Sequence, residues 1–281
     1  MTKIGLALGA GGARGLAHLV MLEALDQAGI RPHAIAGASI GAIMGALYAA
    51  GNSGADLRRG VDDLVGPLSG SIKDAIKDAF TGNRLKQIIS LIDPSFGKSG
   101  MLSGDRFMDM LEEMIGVRTF EALQIPLKVV ASEFWSREEI VLDSGPLRPA
   151  IRASMALPGV FTPVTQGSRV LIDGGAVNPL PYDLLQDECD AVIAIDLISS
   201  GPGRRNGEVP DLFETIFSTF QIMEKSIIRQ KLEHRPPDIY IEMDIRGVKS
   251  LEFHKTREIY KQAAAAREQL FRELERTGLA D

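Results

Sequence analysis

The segment Gly37-Ala38-Ser39-Ile40-Gly41 constrains this chain more than any other, because it sets one serine between two glycines where an apolar run, Ile35-Ala36, passes into a helix-like stretch. A serine that stands clear of the backbone sits on a strained strand-to-helix turn, where side chains two residues before or after it would collide. The following run, Ala42 to Ala50 and then Gly51, reads as a buried helix with a glycine stop. Its N-terminus would point at Ser39, so unpaired N–H groups and the positive end of the helix dipole favour negative charge there. The competing reading is a tight turn of small residues, which a chain with 29 glycines also produces by chance.

Around this elbow, strand and helix patterns alternate, which predicts an α/β domain with a mainly parallel central sheet. Strands are expected at Lys3–Leu8, Ala34–Ala36, Leu127–Ala131, Ile140–Leu142, Val170–Ile172, Ala191–Ile195 and Ile239–Met243, and a helix at Leu16–Ala28. A helical insertion over about 55–115 is too long for a simple crossover and suits a cap or access wall. The run from Ser199 to Gly207 reads as a flexible break. Beyond it, Leu212, Phe213, Ile216, Phe217, Phe220, Met223 and Ile227 form a stripe expected to pack against core or subunit rather than membrane. A charged closing helix is expected at His254–Thr277. The catalytic domain is drawn at 3–200, with 201–281 as an extension packed on it.

Composition narrows the function. A net charge of −6 argues against a nucleic-acid partner, and no polybasic cluster suggests a membrane anchor. The single cysteine, Cys189, excludes an internal disulfide framework and a Cys-rich metal site; it is expected to be a buried thiol, in keeping with a cytoplasmic location. Residues 4–13 end in Gly-Gly-Ala-Arg rather than a cleavage site, so they are read as strand and loop. The uncharged span from His33 to Ala55 is cut by the elbow into pieces too short to cross a bilayer.

A nucleophilic serine needs an oxyanion site and a base. Gly9-Ala10-Gly11-Gly12-Ala13-Arg14-Gly15 lies at a strand-to-helix turn, where small residues leave backbone N–H groups open to a developing oxyanion. Dinucleotide binding fits poorly: the Gly9–Gly11 register requires a glycine where Arg14 stands, and the second strand ends in the elbow instead of an acidic residue. Gly97-Lys98-Ser99 mimics a phosphate loop, but Ile92 occupies its required glycine position. For the base, Val170-Leu171-Ile172-Asp173-Gly174-Gly175 delivers a carboxylate to a strand end beside a tight turn. Asp143, Asp196 and Asp244 also follow apolar strands, and only the paired glycines set Asp173 apart. Of the four histidines, a triad in the order Ser, Asp, His would use His234 or His254, and that alternative stays open.

The ordered set Gly11-Gly12-Ala13-Arg14-Gly15, Gly37-Ala38-Ser39-Ile40-Gly41 and Asp173-Gly174-Gly175, with Ala153-Ser154-Met155-Ala156-Leu157-Pro158 and Asn178-Pro179, resembles the patatin-like phospholipase family over about residues 3–200. It is similar to the short bacterial form related to the catalytic part of neuropathy target esterase. The resemblance implies a three-layer α/β fold and a cofactor- and metal-independent hydrolysis of acyl esters in lipids by a Ser–Asp dyad. It makes Ser39 the nucleophile, Asp173 the base, and the N–H groups of Gly11, Gly12 and Ala13 the oxyanion site. Arg14, Gly37, Gly41, Gly174 and Gly175 support these loops. The chain departs from the pattern at Ala10, where many members have glycine. The expected partner is a lipid or small acyl ester, with room for transient contact with a membrane surface and for an oligomer. Acyl transfer on the same dyad, or non-catalytic lipid binding, are the alternatives.

Overall fold

A computed structural model of the chain describes residues 2–63, 104–198, 209 and 212–279, without the side chains of 212–214. Most of the expected insertion (64–103, with Gly97-Lys98-Ser99), the break at Ser199–Gly207 and the side chains of Leu212 and Phe213 lie outside the described residues.

Eight strands form one sheet: β1 (Ile4–Leu8), β2 (Ala34–Ala38), β3 (Leu127–Glu133), β4 (Glu139–Leu142), β5 (Val164–Gln166), β6 (Arg169–Asp173), β7 (Ala191–Asp196) and β8 (Ile239–Glu242). The strands β3, β2, β1, β7 and β8 run parallel in that spatial order, and β1, β2 and β7 are buried at every position. Such continuous burial is what helices on both faces of a parallel sheet require. The other three strands join through antiparallel pairings, so the sheet is mixed; the three-residue β5 lacked a sequence signal of its own.

The two faces differ in bulk. Leu6, Leu8, Ile35, Val129, Ile193 and Ile195 belong to one core with helices α1 (His18–Gln27), α2 (Ile40–Ala49), α3 (Asp105–Ile115) and α6 (Thr256–Thr277). Ala7, Ala34, Ala36, Ala38, Val130 and Ala194 form the second, with Leu180, Tyr182, Leu185 and Ile228 of α5 (Leu212–His234). Period-2 alternation sends the large side chains to one side and the alanines to the other. A short helix, α4 (Leu147–Ser154), covers the antiparallel edge.

Three expectations change. The helix drawn from Leu16 begins as a 3-10 turn, Gly12–Ala17, and becomes α-helical only at His18. Cys189 is half-buried rather than buried. The α5 stripe turns inward only in part: Ile216 and Met223 are exposed, Phe217, Phe220 and Ile227 are half-buried, and the described residues of the helix that are fully buried are Glu224 and Ile228.

The register of β3 brings the chemistry together. Its residues 129–132 pair with β4 along one edge. Along the other edge, β2 ends with Ala38 opposite Val130, and β6 takes over with Asp173 opposite Ala131. Asp173 therefore occupies the lattice position that residue 39 would fill if β2 continued.

Candidate active site

Because β2 gives up that position, Ser39 must turn out of the sheet at once. It does so with φ 54° and ψ −123°, and α2 starts at the next residue. A non-glycine residue in this conformation carries strain of about 1–3 kcal/mol. Packing on both sides enforces the turn. A Cβ on Gly37 would stand 2.5 Å from the carbonyl oxygen of Gly41, and one on Gly41 only 2.0 Å from that of Leu8. The backbone N–H of Ser39 donates to Ser154 Oγ at 2.9 Å, which fixes the elbow to the end of α4.

Across the handover, Ser39 Oγ donates to Asp173 Oδ2 at 2.7 Å. Asp173 Oδ1 accepts from the N–H of Gly175 at 2.8 Å, and its main-chain oxygen accepts from Ser132 Oγ at 2.7 Å. The carboxyl is 1% exposed. Burial pushes its pKa up to about 6, against the lowering effect of the Ser39 and Gly175 hydrogen bonds. The cause is the loss of hydration of the charged form. His234 is exposed and its Nδ1 meets the carbonyl of Gln230, while His254 is half-buried in the turn before α6; neither hydrogen-bonds Ser39 or Asp173.

The glycine-rich loop stands beside the serine, and its members differ. Gly12 is partly exposed and lines the same cavity as Ser39. Gly11 is buried, and the N–H of Ala13 is committed to the carbonyl of Ser250 at 2.8 Å. The Nε–H of Arg14 reaches the carbonyl of Gly11 at 3.4 Å. In a trans peptide the C=O and the following N–H point in opposite directions, so holding the Gly11 oxygen on the Arg14 side aims the Gly12 N–H away from it. Arg14 is itself buried, and its Nη2 finds no hydrogen-bond partner. Ala10 and Gly9 are held by the carbonyls of Pro179 and Ile195. His18, fully buried, meets the Gly9 carbonyl at 2.9 Å through Nε2, and burial drives its pKa down to about 4, so it stays neutral.

From Ser39 a cavity of about 260 Å³ opens, lined largely by Ile43, Phe107, Met155, Leu157, Phe161 and Phe253. Its size is near the lower end of ordinary ligand pockets, about 300 Å³. Two contributors lacked a chemical assignment from sequence: Ser154, which anchors the elbow, and Pro179, whose oxygen holds Ala10. Both lie in segments recognisable as landmarks, but a hydroxyl or carbonyl acting through backbone contacts has no residue-type signature. Among the described residues, no group of three or more His, Cys, Asp or Glu side chains is placed to hold a metal ion, and no helix is long and apolar enough to cross a membrane.

Comparison with known proteins agrees with this architecture. An uncharacterised NTE family protein of Mycobacterium tuberculosis is 32% identical over 239 residues, covering 82% of this chain and 60% of the relative, so the chain spans less than two thirds of that protein's length. Neuropathy target esterase sws of Drosophila melanogaster is 31% identical over 198 residues, covering 69% of this chain and 13% of the esterase. The crystal structure of VipD from Legionella pneumophila shares the fold, with a TM-score of 0.52, 15% identity, and coverage of 95% of this chain and 67% of that one. The patatin-like phospholipase family profile matches residues 6–185, and with the elbow, the glycine loop and the Asp-Gly-Gly turn within that span, the chain belongs to the patatin-like phospholipase family.

Proposed function

We propose that the protein is a serine acyl-ester hydrolase of the lipase or lysophospholipase type, working through a Ser39–Asp173 dyad and an acyl-enzyme. The observation that carries this reading is the 2.7 Å hydrogen bond from Ser39 Oγ to a buried carboxylate oxygen of Asp173. Asp173 takes the hydroxyl proton as Ser39 Oγ attacks the ester carbonyl carbon. The carbonyl oxygen becomes an oxyanion that accepts from the N–H of Gly12, with Gly11 beside it; Ala13, bonded to Ser250, serves by fixing the loop. Collapse of the intermediate breaks the bond to the alcohol, which leaves with the proton from Asp173. Water then gives a proton to Asp173 and attacks the acyl-enzyme, releasing the carboxylic acid and restoring the serine.

Desolvation makes Asp173 fit for this task. A solvated carboxylate is too weak a base for a hydroxyl, and lifting its pKa to about 6 brings it closer to working pH while leaving it mostly ionised at neutrality. The apolar cavity suits an acyl chain, and Leu251, 47% exposed while lining it, provides an apolar rim for a chain arriving from a lipid surface. We place the protein in the cytoplasm, in transient contact with membranes.

The test is hydrolysis of acyl esters of increasing chain length by wild type, Ser39→Ala and Asp173→Asn. Turnover by wild type and loss in both variants supports the dyad. Near-normal turnover in Asp173→Asn would remove the base from the mechanism. Adding glycerol or a lysolipid as acceptor and analysing the products separates hydrolysis from acyl transfer.

A further inference from the structure

The mechanism leaves one buried acid unused. Glu224 comes from α5, beyond the segment that the family profile covers, and is 4% exposed. It lies against the turn that holds the base. A Cβ on Gly175 would stand 2.3 Å from Glu224 Oε1 and 3.1 Å from Asp173 Oδ1, so the two carboxyl groups approach the same glycine across a space too small for a methyl group. Gly175 is also the residue whose N–H holds Asp173 Oδ1. Glu224 also interacts electrostatically with the buried Arg14, whose Nε–H holds the Gly11 carbonyl.

We propose that Glu224 is a positioning residue of the ester-hydrolysing site: its carboxyl braces the Asp173–Gly175 turn and, through its electrostatic interaction with Arg14, ties the base and the oxyanion loop to α5. This inference rests on the reading of the site as a hydrolase. Burying a carboxyl costs several kcal/mol unless it is neutralised or paired, so an acid here is a poor choice for packing alone. An aliphatic side chain would fill the same space without that cost.

The charged neighbours fix the sign of the effect. Facing Glu224 are Asp173 at the end of β6, Arg14 after β1, and Asp196 at the end of β7. Asp196 accepts from Tyr240 at 2.6 Å and lies 3.8 Å from Lys225 of α5, which in turn bonds Glu242 of β8 at 2.6 Å. Burial first, then the negative charge of Asp173, drives Glu224 well above the usual carboxyl range, against the opposing pull of Arg14. Removing the Asp173 charge would therefore ease ionisation of Glu224. When Glu224 ionises at higher pH, a second negative charge opposes formation of the oxyanion.

The test compares Glu224→Leu and Glu224→Gln in the full chain by steady-state hydrolysis of a chromogenic acyl ester across pH, with wild-type labelling of Ser39 by a fluorophosphonate run alongside. A positioning role predicts that Glu224→Leu lowers kcat about tenfold with KM within about twofold. It also predicts that Glu224→Gln recovers much of that loss and lacks the alkaline fall of the wild-type profile. Wild-type kcat and an unchanged pH profile in Glu224→Leu would overturn the proposal while leaving the hydrolase reading intact. Absence of both labelling and hydrolysis in wild type would remove the hydrolase reading, and this proposal with it. If the variants do not fold, carboxyl NMR of wild type and Asp173→Asn decides: the Glu224 titration moves to lower pH in Asp173→Asn if the two acids are coupled, and an unmoved titration refutes the coupling.

Discussion

The parallel half of the sheet and its antiparallel edge contribute to the site by different means. The parallel half supplies the nucleophile and the glycine loop from strand-to-helix turns, where β1 and β2 end and the chain leaves the sheet. The antiparallel edge supplies the base through register: β6 enters from the opposite direction along β3 and stops at Asp173, one pairing position past the end of β2. The first device is local and confined to a few residues. The second needs three strands distant in sequence to agree. The comparison teaches that the strained group and the desolvated group are held by separate parts of the fold, so each can be disturbed without moving the other first.

The largest expected effect breaks the parallel side at its chemistry. Ser39→Ala removes the nucleophile and is expected to lower kcat by about 10⁴-fold or more. Its melting temperature should stay near wild type, because the methyl keeps the elbow's shape; steady-state hydrolysis and thermal denaturation check both halves of that statement.

A second test sets the two regions against each other through pH. His18, beside the glycine loop, has its folded pKa depressed to about 4, so the unfolded chain binds more protons between about 4 and 6.5 and this group's contribution grows as pH rises through that window. Asp173 has its pKa raised to about 6, so the folded chain binds more protons between 3.8 and about 6 and its contribution is lost over that range. Each amounts to about 3 kcal/mol at full extent, with opposite sign. Denaturant unfolding of wild type and Asp173→Asn from pH 4 to 7 should show the variant gaining on wild type as pH rises. The same pairing with His18→Gln should show the variant falling behind. In activity, Asp173 predicts that kcat/KM rises through about pH 6, ahead of the alkaline fall assigned to Glu224.

A third test addresses the glycines of the elbow. Gly41→Ala would set a methyl 2.0 Å from the Leu8 carbonyl and must displace either α2 or β1. The expected result is a loss of about 1–3 kcal/mol of stability and about a 10²-fold drop in kcat from a misplaced Ser39. The smallest effect is in the cavity: Phe107→Ala should raise KM several-fold for a medium-chain ester and less for an acetyl ester, since only the longer chain reaches that wall.

The same contrast explains what could be read in advance. The elbow was legible because glycine sterics act over five residues, and the apolar strands of the parallel half were legible because burial on both faces leaves a continuous signature. Asp173 stood out only through its paired glycines; its actual neighbour, Ser39, is set by the pairing of β3, which leaves no mark on either segment. Glu224 was hidden for a further reason. The apolar stripe of α5 suited core or subunit packing, and it gave no sign that an acid on the same face as Phe217 and Phe220 would be buried, as Glu224 is beside Ile228. The commitment of the Ala13 N–H to Ser250 was equally invisible, because it depends on a loop more than two hundred residues away.

The most direct measurement is reaction of the intact protein with a fluorophosphonate, with the modified residue located by peptide mass spectrometry and the rate followed in wild type and Asp173→Asn. Activation of the elbow by the buried carboxylate predicts a single adduct on Ser39 and a labelling rate at least about a hundredfold slower in Asp173→Asn. An adduct on another residue, or equal rates in the two proteins, would contradict it.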